Sequence, residues 1–228
     1  MLDSRLYHHL VTWLGQWPAG QRLHVVSSER RVRPGWDGER HPVVGVGSRA
    51  GVVLSVPPTH LAAVRALGDL VVDEVLDELP RVLDLPGWSG YRAVFRYTVA
   101  PTPGPDPGEW VDAADPGLPS WLRPFGGEVL VIRDEEGRYL AGVGVKRHDG
   151  YGHELAVGTE PAARGRGLAR RLVAQAARRV LDEGAVPTYL HATENVASAR
   201  VATAAGFPDH GWTLYALAPP PPGPPRSP

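Results

Sequence analysis

The sequence predicts an α/β (α+β) fold in two unequal halves, a mixed sheet flanked by helices preceded by a smaller α/β half. Three observations carry this prediction. An antiparallel hairpin is written into Glu128–Lys146. A strand-helix-strand unit follows between Glu154 and His191. A Pro/Gly-rich stretch without periodicity divides these elements from residues 1–100.

In the first half, Leu6, Leu10, Trp13 and Leu14 recur at helical spacing and predict a helix over Leu2–Trp17. Leu23–Val26 reads as a short strand, and the β-branched runs Val43–Val46 and Val52–Val56, bounded by Gly or Pro, as two more. Thr59 ahead of Leu61, Val64 and Leu67 predicts a capped helix, with another over Asp69–Leu79. Tyr91–Val99 alternates Ala93, Phe95 and Tyr97 against Arg92, Val94, Arg96 and Thr98, the period of a strand.

Residues 101–119 are expected to be a linker, and the second domain to occupy residues 120–217. Its hairpin pairs Glu128–Arg133 with Tyr139–Lys146 around Glu135–Gly137. Glu154–Val157 is a third strand. Arg164–Leu181 follows as a helix with Leu168, Leu172, Val173, Ala176 and Val180 on one stripe. Pro187–His191 is a strand, Glu194–Ala205 a helix ended by Gly206, and Trp212–Leu217 a last strand. The order β-β-β-α-β-α-β implies one parallel pair, with a crevice at the strands' carboxyl ends where ligands of such sheets bind. The Pro-rich segment 218–228 cannot supply the amide donors a sheet needs and is expected to be extended and disordered.

Composition bounds the function. With 24 Lys plus Arg against 25 Asp plus Glu, the net charge of −1 gives no overall attraction for nucleic acid or an anionic membrane. The chain has no cysteine, which removes disulfides, thiolate nucleophiles and Cys-ligated zinc, and no histidine spacing suits a metal. No signal-like or membrane-spanning run occurs, so a cytoplasmic location is expected.

The chemistry concentrates at Arg164-Gly165-Arg166-Gly167-Leu168-Ala169. Glycines at a helix entrance leave backbone N–H groups open, and the first turn's unpaired donors and partial positive charge favour a pyrophosphate. Arg164 and Arg166 add cationic charge, whereas Arg170, Arg171, Arg178 and Arg179 read as a solvated helix face. Leu168-Ala169 lacks the Lys-Ser/Thr of a nucleotide-triphosphate loop, and Arg170 stands where a dinucleotide fingerprint needs glycine.

These residues resemble the GNAT superfamily of N-acetyltransferases, whose loop reads Arg or Gln, two residues, Gly, one residue, Gly or Ala. Asn195-Val-Ala-Ser198 and Gly206-Phe207 match the family's second signature. The resemblance spans residues 120–217 and is closest to proteins that carry this domain at the C-terminus, as in glycine N-acyltransferase-like proteins. It implies a mostly antiparallel sheet, acetyl-CoA as acyl donor, no metal, and direct transfer to a primary amine of a small molecule. The acceptor is open among amino acids, polyamines, aminoglycosides, other metabolites and protein termini. Residues 1–100 would form a degenerate, substrate-shaping half, and a homodimer is compatible with the pattern.

For this chain the resemblance nominates Val157, Gly158 and Thr159 for the pantetheine arm, Arg164 to Ala169 for the pyrophosphate, and Asn195 and Ser198 for further donor contacts, with Arg200 a candidate for the ribose phosphate. A general base is expected on the strand before the loop, Glu154 first and His153 second, with His191 in reserve. The plain alternative makes Glu154 a surface carboxylate. Ala202 stands where many relatives place the tyrosine that protonates the departing thiolate. Ser198 or Tyr215 would then substitute, although Tyr215 also reads as a strand core residue, or the protein would only bind or sense acyl-CoA. A scaffold role for the proline tail is a third reading.

Overall fold

The side chain of Asp3 accepts a hydrogen bond from the Arg5 amide and starts α1 (Ser4–Leu14), which stops where Gly15 turns left-handed at φ 100°. The expected face is buried, with Leu6, Leu10, Trp13 and Leu14 joined by His9. The computed structural model describes residues 2–221. The predicted tail therefore falls mostly outside the described residues, and Ala218, counted with it, still belongs to the last strand.

The remaining elements of the first half are β1 (Leu23–Ser27), β2 (Val44–Ser48), β3 (Gly51–Val56), α2 (Leu61–Arg65), α3 (Val72–Val82) and β4 (Ser89–Tyr97). Thr59 does not cap α2. It lies inside a 3₁₀ turn, Pro58–His60, and its hydroxyl bonds the neighbouring His60 ring. The start of α3 is closed instead by Glu74, whose carboxylate accepts from the Val71 amide, so the helix begins later than expected.

Next come β5 (Glu109–Asp112), β6 (Glu128–Arg133), β7 (Tyr139–Arg147), β8 (Gly152–Thr159), α4 (Leu168–Asp182), β9 (Val186–His191), α5 (Val196–Ala204) and β10 (Trp212–Ala218). Residues 101–119 are thus not all linker, because β5 pairs with β6 over Glu109–Asp112. Gln175 in α4 holds this segment down, giving its amide to the Gly108 carbonyl and accepting from the Gly108 amide, both at 2.9 Å.

Among the described residues, ten strands make one sheet in the order β1-β3-β2-β10-β4-β9-β8-β7-β6-β5. All pairings are antiparallel except β1–β3 and β8–β9. The two halves interlock, since β4 from the first lies between β10 and β9 of the second. One face packs against α1 through Val46, Val53, Phe95 and Leu214. The other packs against α3 through Leu54 and Leu217 and against α4 through Val143, Leu155 and Tyr189. Alternation along β8 sends Leu155 to the α4 face and Glu154 to the α1 face.

Candidate active site

Strand β8 pairs in parallel with β9 only from Gly152 to Leu155, while its register with β7 continues to Thr159. The strands part beyond Leu155, so among the described residues the β9-facing edge of Val157–Thr159 has no strand partner and its main-chain groups are open to an extended ligand.

The helix expected from Arg164 begins only at Leu168. Gly165 and Gly167 sit at φ 77° and 71°, a left-handed backbone that cannot continue a helix and that glycine adopts without strain. A Cβ at Gly165 would meet no atom of the described residues within 4 Å, so the space above that residue is open cleft. The first turn of α4 has no acidic residue and no side-chain cap, which leaves its N–H groups for an anion. Arg164, Arg166, Arg170 and Arg200 border the same cleft, and among the described residues none of them pairs with a carboxylate.

The cleft encloses about 1010 Å³ and brings together every residue nominated for the donor, from Val157, Gly158 and Thr159 through Arg164–Ala169 to Asn195 and Ser198. Asn195 caps α5, accepting from the Ser198 amide at 3.0 Å. Arg170, read from sequence as solvated surface, belongs to the cleft as well. So does Tyr189, missed as a functional residue because it reads simply as a strand aromatic. Its hydroxyl bonds Ser198 Oγ at 2.8 Å, and burial raises its pKa, keeping the phenol protonated.

On the α1 face lies a second cavity of about 520 Å³, lined by Glu154, Lys146 and His148 among others. Glu154 is 5 % exposed and therefore not a surface carboxylate. Its two oxygens meet Lys146 Nζ at 2.5 Å and His148 Nε2 at 3.1 Å. Burial alone would raise this carboxyl, but the His148 hydrogen bond and the Lys146 charge outweigh it and hold the pKa at about 2. His148 shifts the opposite way from a surface histidine in an ion pair: burial pushes its pKa down against the pull of Glu154. With Glu154 ionised, Nε2 carries the proton of the neutral ring, and Nδ1, which has no hydrogen-bond partner among the described residues, presents a lone pair. His148 escaped the sequence reading because it lies in the turn after β7, outside any motif.

The other nominated residues lie elsewhere. His153 points to the α4 face, accepting from Arg147 at 3.1 Å near Glu183, because it is one residue out of phase with Glu154. His191 has both nitrogens engaged, Nδ1 with the Ala192 carbonyl at 2.9 Å and Nε2 with Arg96 at 3.1 Å. Tyr215 packs under α3 with Leu54 and Leu217, away from both cavities. Among the described residues no group of three or more His, Asp or Glu could hold a metal ion, and no helix is long and apolar enough to cross a membrane.

The parting parallel strand pair and the glycine-opened helix entrance thus face one cleft. The acetyltransferase (GNAT) family model matches residues 91–207, and the chain belongs to that family. The match begins in β4 rather than at residue 120, in keeping with the place of β4 between β9 and β10. Solved structures similar to the chain include a GNAT-family protein from Novosphingobium aromaticivorans DSM 12444, 22% identical over 60% of this chain and 69% of that one, TM-score 0.48. A GCN5-related N-acetyltransferase-like protein from Streptococcus suis 89/1591 is 17% identical over 77% and 83%, TM-score 0.49. A GCN5-related N-acetyltransferase from Kribbella flavida is 18% identical over 67% of each chain, TM-score 0.43. No curated protein matches significantly.

Proposed function

We propose that the protein transfers an acetyl group from acetyl-CoA directly to a primary amine of a small molecule, in a cytoplasmic setting. The observation that carries this is the single cleft joining the unpaired edge of β8 to the open entrance of α4. Val157–Thr159 would take the pantetheine arm, and the Arg164–Ala169 loop with Asn195 the phosphates. Bound acetyl-CoA supplies an acyl carbon activated as a thioester.

His148 Nδ1 takes the proton the amine loses as the C–N bond forms and the C–S bond breaks, with Glu154 holding the ring in the productive tautomer. The Tyr189 hydroxyl, paired with Ser198, hands a proton to the departing sulfur and stands in for the tyrosine replaced by Ala202. That pair favours turnover over a role confined to binding or sensing. Residues 1–100, through α1 and the 30–41 loop, wall the acceptor cavity, in an arrangement with the transferase domain at the C-terminus as in glycine N-acyltransferase-like proteins.

Calorimetry with coenzyme A and thiol release across a panel of amines test the reading. Combining Arg164→Ala with Gly167→Asp is expected to abolish coenzyme A binding by removing a cation and setting a carboxylate against the phosphates. Binding unaffected by that pair, or no thiol release with any amine, overturns it.

A further inference from the structure

Arg31 ends a 3₁₀ turn, Glu29–Arg31, and lines the cavity that holds Glu154 and His148. Its side chain is buried, the residue being 4 % exposed, yet no carboxylate pairs with it among the described residues. Its NH1 donates to the His41 carbonyl at 3.2 Å and its NH2 to the Trp13 carbonyl at 3.0 Å, while Nε has no partner among the described residues. Burial and the neighbouring Arg30 push its pKa down to about 10, so the guanidinium stays charged at neutral pH in a setting that disfavours charge. A buried cation without a counter-ion is a costly arrangement that an incoming anion relieves.

The rest of the lining leaves that excess uncompensated. Glu154 is neutralised by Lys146, and Asp37 is engaged by His41 at 3.1 Å. Arg30 and Arg33 border the same cavity, again with no carboxylate partner among the described residues. Arg30 also donates to the His148 main-chain carbonyl at 2.9 Å, which ties the arginine-bearing turn to the loop that carries the base. The anion-seeking group and the proton acceptor are thus built into one wall.

We propose that the acyl acceptor is an amine that also bears a carboxylate, an amino acid or a close derivative, with Arg31 as its principal anion-binding residue and the amine presented to His148. The inference rests on the proposed amine acetylation and narrows its substrate class. Arg30 and Arg33 add attraction at the cavity, and the planar fork of arginine suits a carboxylate.

The experiment measures thiol release from acetyl-CoA with the proteinogenic L-amino acids, each beside its carboxamide and decarboxylated amine, and with phosphoethanolamine as the alternative anion. At least one free amino acid is expected to exceed its amide and its decarboxylated amine by about 100-fold in kcat/KM, the scale of a buried charge contact. Arg31→Met should erase that preference, raising KM for the amino acid by a far larger factor than KM for its decarboxylated amine. Arg33→Gln, at an exposed position that folding does not depend on, should weaken the preference in the same direction. Equal or better use of the uncharged-end amines by the wild-type protein overturns the substrate class while leaving acetyl transfer intact, and a preference for phosphoethanolamine assigns the site to phosphate and overturns the carboxylate. No release with any amine, despite coenzyme A binding, overturns the transferase reading and this inference with it.

Discussion

His148 Nε2 lies 3.1 Å from Glu154 Oε2, and Lys146 sits on the carboxylate's other oxygen. The carboxylate is held ionised and the imidazole neutral, which under the proposed mechanism assigns histidine as the base and glutamate as its orienting partner. His148→Gln should lower kcat by about 100-fold or more with coenzyme A affinity unchanged. Because burial depresses the His148 pKa, activity should be full above the ordinary histidine value of 6.5 and fall as pH drops through a lower midpoint. In Glu154→Gln, loss of a partner that favoured the charged ring should move this limb to still lower pH and reduce the plateau. A limb that stays put in that variant would disprove the coupling.

The same carboxylate predicts a stability effect. Its folded pKa, about 2, lies below the ordinary 4.5, so its contribution is complete above 4.5 and is lost as pH falls toward 2. Thermal unfolding followed from about pH 5 downward should show a steeper fall in Tm for wild type than for Glu154→Gln. Parallel curves would mean that the ion pair adds nothing to folding.

Gly165 combines a φ of 77° with open space above its Cα. Gly165→Val should cost about 1–2 kcal/mol of backbone strain and push a side chain into the phosphate path. Coenzyme A affinity measured by calorimetry should fall by at least about 10-fold, beyond what the Tm change implies. Undiminished affinity would place the phosphates elsewhere.

Tyr189→Phe removes the hydroxyl that bonds Ser198 while keeping the ring in its core. The expected result is a drop in kcat of about 10-fold or more, without a change in coenzyme A affinity. Presteady-state thiol release separates this from slow product departure: an unchanged chemical step would show that the sulfur leaves without this group.

The sequence by itself determined the form of the loop at the α4 entrance, because a glycine-opened helix start is a local object. Arg164 to Ala169 are contiguous, their φ requirements are written in Gly165 and Gly167, and Asn195 caps its own helix. Strand and helix periods were legible for the same reason, since Leu172 or Val143 is placed by its neighbours' spacing. The surroundings of Glu154 were decided only by tertiary structure. Period-two alternation says that His153 and Glu154 face opposite ways, yet which of them lines the cavity on the α1 face depends on α1 packing on one face of the sheet and α4 on the other. Tyr215 was displaced by the same effect, its face being the one covered by α3. Arg30 and His148 are 118 residues apart in sequence but hydrogen-bonded, so the buried cation Arg31 and the His148 ring could not be joined before the sheet brought the two halves together.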